Sequence, residues 1–388
     1  MSLSFDAAAS SVRDALTDAG RGLVEREAMV ELVALCAVAG EHLLVIGPPG
    51  TAKSEAVRRT ARALGGGYFE YLLGRFTEPS EIFGPVDLRK LREGLVETET
   101  AGMLPEAEVA FLDEVFLGST AILNTLLGLL NERVFRRGHT RMQCPLRVCV
   151  GASNALPEDD ALAAFADRFL ARTFVESVPD PRLEELLAGG ASLWKAGEAR
   201  TASLEALDVL AQAAREAELG PVRPHLAHAL RTLRAAGLSL SDRRLVKVQR
   251  LVAAAAALAG RRAPGVADVW PLIYAVPTKE GQALARDVLR ELLSHSENPA
   301  LAAAALEASA GPLARAQRIA QAGRGVLAER PAEGNPEALA SWRLKLEGVA
   351  RELDAGFAPE ALPEELRAVR EELRMALAAP TGSQDEAA

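Results

Sequence analysis

Gly47-Pro-Pro-Gly-Thr-Ala-Lys-Ser54 is the stretch that decides the fold of this 388-residue chain. It follows the apolar run Leu43-Leu-Val-Ile46 and leads into helix-forming residues from Ser54 to Leu64. A buried strand, a glycine-bearing turn and a helix in this order are typical of a phosphate-binding loop, where backbone N–H groups and the positive helix end hold an anion. The stretch therefore predicts an α/β domain with a nucleotide site.

The residues of this loop have separate expected roles. Lys53 is expected to reach the β- and γ-phosphates, and the Ser54 hydroxyl is expected to ligate Mg²⁺. Ala52 stands where the pattern usually has glycine, and we expect it to begin the helix with a negative φ, because a left-handed backbone is costly for alanine. The predicted nucleotide-binding residues are Gly47, Pro48, Pro49, Gly50, Thr51, Ala52, Lys53, Ser54 and Asp113.

A second signal lies at Asp113-Glu114, directly after the apolar run Val109 to Leu112. Two carboxylates at the carboxyl end of a parallel strand lie where ligands bind in open α/β sheets. Asp113 is expected to hold the hydrated Mg²⁺, and Glu114 to polarise a water for attack on the γ-phosphate. An acidic pair alone would indicate a solvated loop, but its position downstream of the loop lysine favours the catalytic interpretation.

Composition excludes several classes of protein. The net charge of −9 argues against broad nucleic-acid affinity, which needs clustered Lys and Arg, and no apolar run is long enough to cross a bilayer. Hydrophobic residues make up 49% of the chain and aromatics only 4%, which favours helices packed through small side chains. Cys36, Cys144 and Cys149 lack metal-ligand spacing, and the chain shows no signal peptide. We therefore expect reduced thiols and a cytoplasmic location.

Two stretches interrupt the α/β pattern. Residues 74–103 carry several turn signals and are expected to form a hairpin or small insertion. Arg133 to Arg147 reads as a hairpin whose basic tip, Arg136 to Arg141, is either a contact surface or a solvated turn. From about residue 181 onward strand signals end and helical patterns dominate, up to a polar tail, 380–388, that we expect to be disordered.

Several motifs together resemble the MoxR family of AAA+ ATPases, and its RavA-type branch in particular. They cover about residues 40–175 in the order that the family has. The branch that the chain resembles tolerates alanine before the loop lysine. The motifs are GPPGTAKS (47–54), RFTEPSEIFGP (75–85), GMLPEAEVAFLDE (102–114), ILNTLLGLLNER (122–133), ASNALPE (152–158) and DRF (167–169).

The resemblance implies a fold and a domain organisation. The fold is an α/β P-loop AAA+ core, a parallel sheet between helices with hairpin insertions, followed by an all-α lid and an additional C-terminal helical domain. The core is expected in residues 1–195, the lid in 196–295, and the C-terminal helices in 296–388. Two apolar patterns in the last section, Lys345 to Leu353 and Glu364 to Leu377, predict helices that pack as a hairpin.

The resemblance also implies catalytic roles for polar residues beyond the acidic pair. Asn154 matches the first sensor, which contacts the γ-phosphate, although an Asn before Ala-Leu-Pro could simply form a turn. Arg168 matches the arginine finger offered to a neighbouring subunit, and its alternative is a helix-end arginine paired with Asp167 or Glu158.

The lid supplies one more matched position. Arg243 matches the second sensor, a guanidinium that the lid places on the γ-phosphate, and the adjacent Arg244 is the other residue that could take this role. An arginine pair at a helix start is, by itself, typical of a solvated face.

The implied function is ATP hydrolysis, with ATP and Mg²⁺ as cofactors, by a ring that is expected to be hexameric. Family analogy suggests a chaperone-like role in remodelling a partner complex, often through a von Willebrand factor A domain protein. A nucleic-acid-dependent ring motor or loader is the first alternative, which the acidic balance disfavours. A nucleotide-dependent scaffold with little turnover is the second, which the complete set of catalytic residues disfavours.

Overall fold

The computed structural model describes residues 3–179, 182–193, 200–310, 323–328, 330–331, 336–356 and 364–378. The chain forms two compact units, the first from Met1–Ser177 with Gly189–Ser309, the second from Val178–Ala188 with Ala310–Ala388. The predicted boundaries at residues 195 and 295 stay a prediction, because the α/β and helical sections of the first unit pack as one body. No helix in these described ranges is long and apolar enough to cross a membrane.

A five-stranded parallel sheet organises the first unit, with the strand order β2-β3-β6-β1-β7. Its central strand β6 pairs with β3 on one side and with β1 on the other, so the phosphate loop and the acidic pair end at the same edge. The α/β fold class is therefore confirmed. The strands are β1 (Leu43–Ile46), β2 (Tyr68–Leu72), β3 (Val109–Asp113), β6 (Val148–Ser153) and β7 (Ala171–Phe174).

Alternating residues of the strands build two separate cores on the two faces of this sheet. In β1, Leu43 and Val45 join the larger core and Leu44 and Ile46 the smaller one, because successive strand side chains point to opposite faces. Helices of the lid section complete the larger core, and many of its buried residues are alanines. Its main helices are α1 (Phe5–Gly20), α2 (Glu27–Ala39), α3 (Lys53–Leu64), α9 (Leu204–Glu216) and α11 (Asp242–Leu258).

The remaining elements complete the connectivity. They are α4 (Pro79–Phe83), α5 (Leu88–Arg92), α6 (Thr120–Glu132), β4 (Val134–Arg137), β5 (Thr140–Gln143), α7 (Asp160–Ala166), α8 (Leu183–Leu193), α10 (Arg223–Ala235), α12 (Lys279–Val288), α13 (Arg290–Leu293), α14 (Ala302–Ala310), a helical segment α15 (323–328), α16 (Pro336–Gly356) and α17 (Glu364–Ala378).

The two predicted insertions contact each other. The antiparallel hairpin β4–β5 forms as expected, and its turn residue His139 donates its backbone N–H to the Val96 carbonyl at 2.8 Å. The Thr98 N–H is bonded to Thr140 Oγ1 at 2.7 Å, and Arg137 donates to the Gly84 carbonyl at 2.9 Å. The insertions therefore form one connected surface feature, and its role as a contact surface stays a prediction.

In the second unit α16 and α17 pack against each other, which confirms the predicted helical pair. Their shared core includes Trp342, Leu346 and Val369, and the Trp342 indole N–H donates to the Val326 carbonyl at 2.6 Å. The polar tail expected at residues 380–388 lies outside the described residues.

Glu31 on α2 predicts a pH-dependent stability. Its two carboxylate oxygens accept the N–H groups of Ala303 and Ala304 at the start of α14, at 3.2 and 2.7 Å. Burial raises the pKa of Glu31 to about 8, opposed by these two hydrogen bonds and assisted by the negative charges of Glu27 and Glu307. Because the folded state then holds this proton above the pH at which the unfolded chain loses it, stability falls as pH rises from about 4.5 to 8.

We expect Glu31→Gln to flatten this pH dependence, since glutamine does not titrate. The slope that is lost approaches about 1.4 kcal/mol per pH unit. Urea unfolding of both proteins at a series of pH values measures it, with the exposed Glu218→Gln as the matched control. An unchanged slope in Glu31→Gln would contradict the assignment of this titration to Glu31.

Candidate nucleotide site

The phosphate loop is fixed at the carboxyl end of β1 by contacts on two sides. The Gly47 N–H donates to the Ser153 carbonyl at 3.1 Å, which ties the loop to the end of β6. A Cβ at Gly47 would lie 2.3 Å from the Val175 carbonyl oxygen, so only glycine fits there. Gly50 has φ +77°, a backbone conformation that favours glycine, and a Cβ added to it would have no heavy atom within 4 Å.

Ala52 adopts the conformation that the sequence argued against. Its backbone is left-handed, with φ 58° and ψ 28°, and α3 begins at the next residue. The expectation of a negative φ was wrong, because the loop must turn sharply between the strand and the helix that fix its two ends. The cost for alanine is about 1–2 kcal/mol. Left-handed residues in such a turn aim successive N–H groups into one concavity, which is an anion-binding geometry.

Lys53 is held against the loop by its own backbone. Its Nζ donates to the carbonyl oxygens of Gly47 and Pro48 at 2.8 and 2.9 Å, and the residue is 7% exposed. Burial lowers the pKa of Lys53, while the nearby carboxylates Asp113 and Glu114 act in the opposite direction. The ammonium group therefore lies in the electrostatic range of the acidic pair, where an incoming phosphate can compete for its hydrogen bonds.

Glu114 of the acidic pair contacts Asn154, the predicted first sensor. Asn154 follows β6 and Glu114 follows the adjacent β3, and Asn154 Nδ2 donates to Glu114 Oε1 at 2.6 Å. Glu114 has a left-handed backbone, with φ 48° and ψ 46°, and its N–H donates to Asp113 Oδ1 at 3.0 Å. Non-glycine residues in this conformation store strain and occur preferentially at functional sites.

The residues at this edge fit a nucleotide with Mg²⁺. Asp113 and Ser54 offer a carboxylate and a hydroxyl, the oxygen ligands that Mg²⁺ prefers, and Mg²⁺ usually takes only one or two protein ligands besides phosphate oxygens and water. The open loop of residues 47–52 and the Lys53 ammonium supply the complementary groups for phosphate. The predicted binding residues have the chemistry that a nucleotide with Mg²⁺ requires, and their roles stay a prediction.

Arg168 is not paired with Asp167 or Glu158, the alternative to the finger role that the sequence left open. It lies just after α7, and its side chain makes no hydrogen bond or ion pair with any residue that the structure describes; its Nε is buried and unpaired. Asp167, one of its two possible partners, is bonded instead by Arg244, whose Nε donates to Asp167 Oδ1 at 2.7 Å. The role of Arg168 as a finger stays a prediction.

Arg244 is a structural residue. Its side chain is 2% exposed and donates to the backbone carbonyls of Phe169, Leu170 and Ala275 as well as to Asp167. The bonds to Asp167, Phe169 and Leu170 hold the start of α11 against the segment that follows α7, and the bond to Ala275 ties it to the segment that leads into α12. The neighbouring Arg243 is exposed on the first turn of α11 and has no polar partner within the described part of the chain, and its role as the second sensor stays a prediction.

Sequence reasoning missed Arg26, a buried arginine at the start of α2. Its Nε donates to the Thr51 carbonyl of the phosphate loop at 2.6 Å, and its Nη2 donates to the Glu176 carbonyl after β7 at 2.7 Å. Burial lowers its pKa, although the charge of Glu25 raises it. The residue holds the outer side of the loop in place, and no local pattern indicates a partner 25 residues away.

Comparison with known proteins decides the family. A model for the MoxR domain in the MoxR–vWA–β-propeller ternary systems matches residues 10–213, which is more than half of the chain. The chain belongs to the MoxR family of AAA+ ATPases. This finding agrees with the fold and with the positions of the predicted motifs.

The other similar proteins support the fold but say little about function. Two uncharacterised proteins of Methanocaldococcus jannaschii are each 35% identical, over 63% and 61% of this chain, and the matches span 64% of each relative's length. A structural protein of Acidianus two-tailed virus is 30% identical over 44% of this chain and 29% of its own length. A structure from Cytophaga hutchinsonii, described as a proposed ATPase, superposes with a TM-score of 0.60 at 15% identity, covering 75% of this chain and 96% of that one.

Proposed function

We propose that this MoxR-family protein hydrolyses ATP to ADP and phosphate. The observation that carries the proposal is the hydrogen bond from Asn154 to Glu114. This contact lies near the phosphate loop, since the charges of Asp113 and Glu114 act on the pKa of the loop lysine, Lys53. A scaffold that only binds nucleotide has no need for a strained glutamate at this position, since binding is served by the loop alone.

Each residue then has a stated action. Lys53 exchanges its bonds to the Gly47 and Pro48 carbonyls for bonds to phosphate oxygens. Glu114 leaves Asn154 and accepts a proton from the attacking water, and the freed Asn154 amide orients that water or the γ-phosphate. Asp113 and Ser54 would hold Mg²⁺, which when bound would neutralise negative charge that develops on the phosphates.

The finer assignments are proposals of the same kind. We propose a homo-oligomeric ring, hexameric as in the resemblance, in which Arg168 reaches the neighbouring subunit's site. A von Willebrand factor A domain partner is supported by the family description, which names such systems, and the chaperone-like role rests on family analogy. The RavA-type branch rests on the sequence motifs, and a cytoplasmic location on the three buried free cysteines.

ATP turnover measured across a protein concentration series, with particle mass determined at each point, tests the proposal. Specific activity should rise with assembly, because a site shared between subunits is complete only in the oligomer. The same assay with single- and double-stranded DNA should show no stimulation. Absent turnover with retained ATP binding would contradict the proposed reaction, and strong stimulation by DNA would favour a nucleic-acid motor.

A further inference from the structure

One ion pair joins the lid helix α11 to the segment that carries the proposed finger. Arg244 Nε donates to Asp167 Oδ1 at 2.7 Å, across 77 residues of sequence. Each partner is the immediate neighbour of a residue expected to contact nucleotide: Asp167 precedes Arg168, and Arg244 follows Arg243. Arg168 and Arg243 are therefore connected through two peptide units and one side-chain contact.

The contact is reinforced on both sides. Arg244 also donates to the carbonyls of Phe169 and Leu170, so one guanidinium is bonded to two consecutive backbone groups directly after Arg168. It donates in addition to the Ala275 carbonyl, in the lid segment that leads into α12. Movement of α11 relative to the sheet would have to break several charge-assisted hydrogen bonds at once or carry the finger segment along.

A second buried arginine ties the same two segments together. Arg172 on β7 donates to the Pro277 carbonyl at 3.0 Å and to the Ala166 carbonyl at 3.1 Å. Gln282 on α12 donates to the Arg172 carbonyl at 2.9 Å. The residues on either side of Arg168 are thus bonded to the lid from two directions.

Charge explains why an acid stands at position 167. Arg172 and Arg244 are both buried, and Arg244 contributes, after burial itself, to lowering the pKa of Arg172 to about 10. Asp167 is the carboxylate whose charge acts on both of these arginines. Two buried cations without an anion are unfavourable, so removal of the Asp167 carboxylate would leave both arginine charges uncompensated.

We propose that the Asp167–Arg244 pair is a positioning device that couples the lid, and with it the nucleotide contact of Arg243, to the presentation of Arg168 to the neighbouring subunit. This inference rests on the proposed function, because it requires that Arg168 acts in trans. Binding of ATP in one subunit then sets the finger that serves the next, which gives hydrolysis around the ring an order.

Mixed oligomers separate this coupling from catalysis itself. A Glu114→Gln subunit cannot hydrolyse in its own site but keeps its finger, and an Arg168→Ala subunit keeps its own catalytic residues but lacks a finger. A mixture of the two should recover turnover that neither has alone. Adding Asp167→Asn to the Glu114→Gln subunit, which supplies the finger and no hydrolysis, should then reduce the recovered turnover by about 5- to 150-fold.

The matched control is Asp159→Asn in the same finger-supplying subunit. Asp159 caps the other end of α7, bonding the N–H groups of Ala161 and Leu162, and asparagine keeps a good cap. Particle mass and ATP binding should be the same for the subunit with Asp167→Asn and the subunit with Asp159→Asn. If Asp167→Asn prevents assembly, Arg244→Lys takes its place, since lysine keeps the buried charge but cannot make the same set of bonds.

The outcomes are distinguishable. Failure of the two parent subunits to recover turnover overturns the finger in trans, and with it the premise of the coupling. Recovery that is equally strong with Asp167→Asn, or with Arg244→Lys in the replacement experiment, overturns the coupling and leaves the proposed function intact. A loss confined to the coupling variants, with Asp159→Asn unaffected, supports both.

Discussion

Arg168→Ala should lower ATP turnover of the assembled protein by about a thousandfold or more, with ATP still bound. We expect this loss because no carboxylate of the same chain competes with phosphate for Arg168. The Arg168 guanidinium makes no ion pair within the described ranges of the chain. A guanidinium without such a partner can donate hydrogen bonds to the phosphate oxygens on which negative charge develops in the transition state. Steady-state turnover and nucleotide binding, both measured above the assembly concentration, determine the effect.

Arg231→Ala is the matched control for this prediction. Arg231 is exposed on α10 of the lid section and has no polar partner within the described residues, so its removal subtracts the same charge without touching the site. We expect the control to keep wild-type turnover. Turnover of Arg168→Ala within twofold of the control would rule out the finger, and with it the requirement for a closed arrangement of subunits.

The second large effect is expected for Glu114→Gln, which should reduce turnover by about 10²- to 10⁴-fold while ATP binding is retained. Glutamine cannot accept the proton of the attacking water. Its amide oxygen can still accept the hydrogen bond from Asn154 Nδ2, so the resting arrangement of the site and the fold are expected to survive. Single-turnover hydrolysis after ATP binding separates this loss from any change in affinity.

Glu158→Gln provides the comparison, because Glu158 is an exposed carboxylate close in sequence to Asn154 that makes no polar contact among the described residues. Its turnover should match that of the unmodified protein. Equal losses in the two variants would show that general electrostatics at this edge, rather than proton transfer to Glu114, controls the rate.

Local pattern predicted the strands that carry the candidate site residues. The apolar runs before Gly47 and before Asp113 were expected to be buried strands, and both form parallel strands whose carboxyl ends lie at one edge of the sheet. That arrangement brings Glu114 and Asn154 together although no local feature pairs them, and the structure has them 2.6 Å apart. The hairpin of β4 and β5 followed from turn signals in the same way.

Local pattern gave a wrong backbone conformation in the phosphate loop, where tertiary contacts fix both ends of the segment. The negative φ expected at Ala52 follows the intrinsic preference of alanine, which costs about 1–2 kcal/mol to override. The loop overrides it because Gly47 is bonded to the end of β6 while α3 must pack its apolar face into the core. The bonds between the two insertions were missed for a similar reason, since each insertion was considered alone.

The sequence by itself determined the fold class, the phosphate loop and the acidic residues beside it, because periodicity and turn chemistry act between residues that are close along the chain. Only the tertiary structure decided that Arg244 serves Asp167 rather than a nucleotide, and that Arg26 supports the phosphate loop. Both arginines look like solvated charges in the sequence. Burial makes their hydrogen bonds obligatory, and burial depends on which distant segments the fold brings into contact.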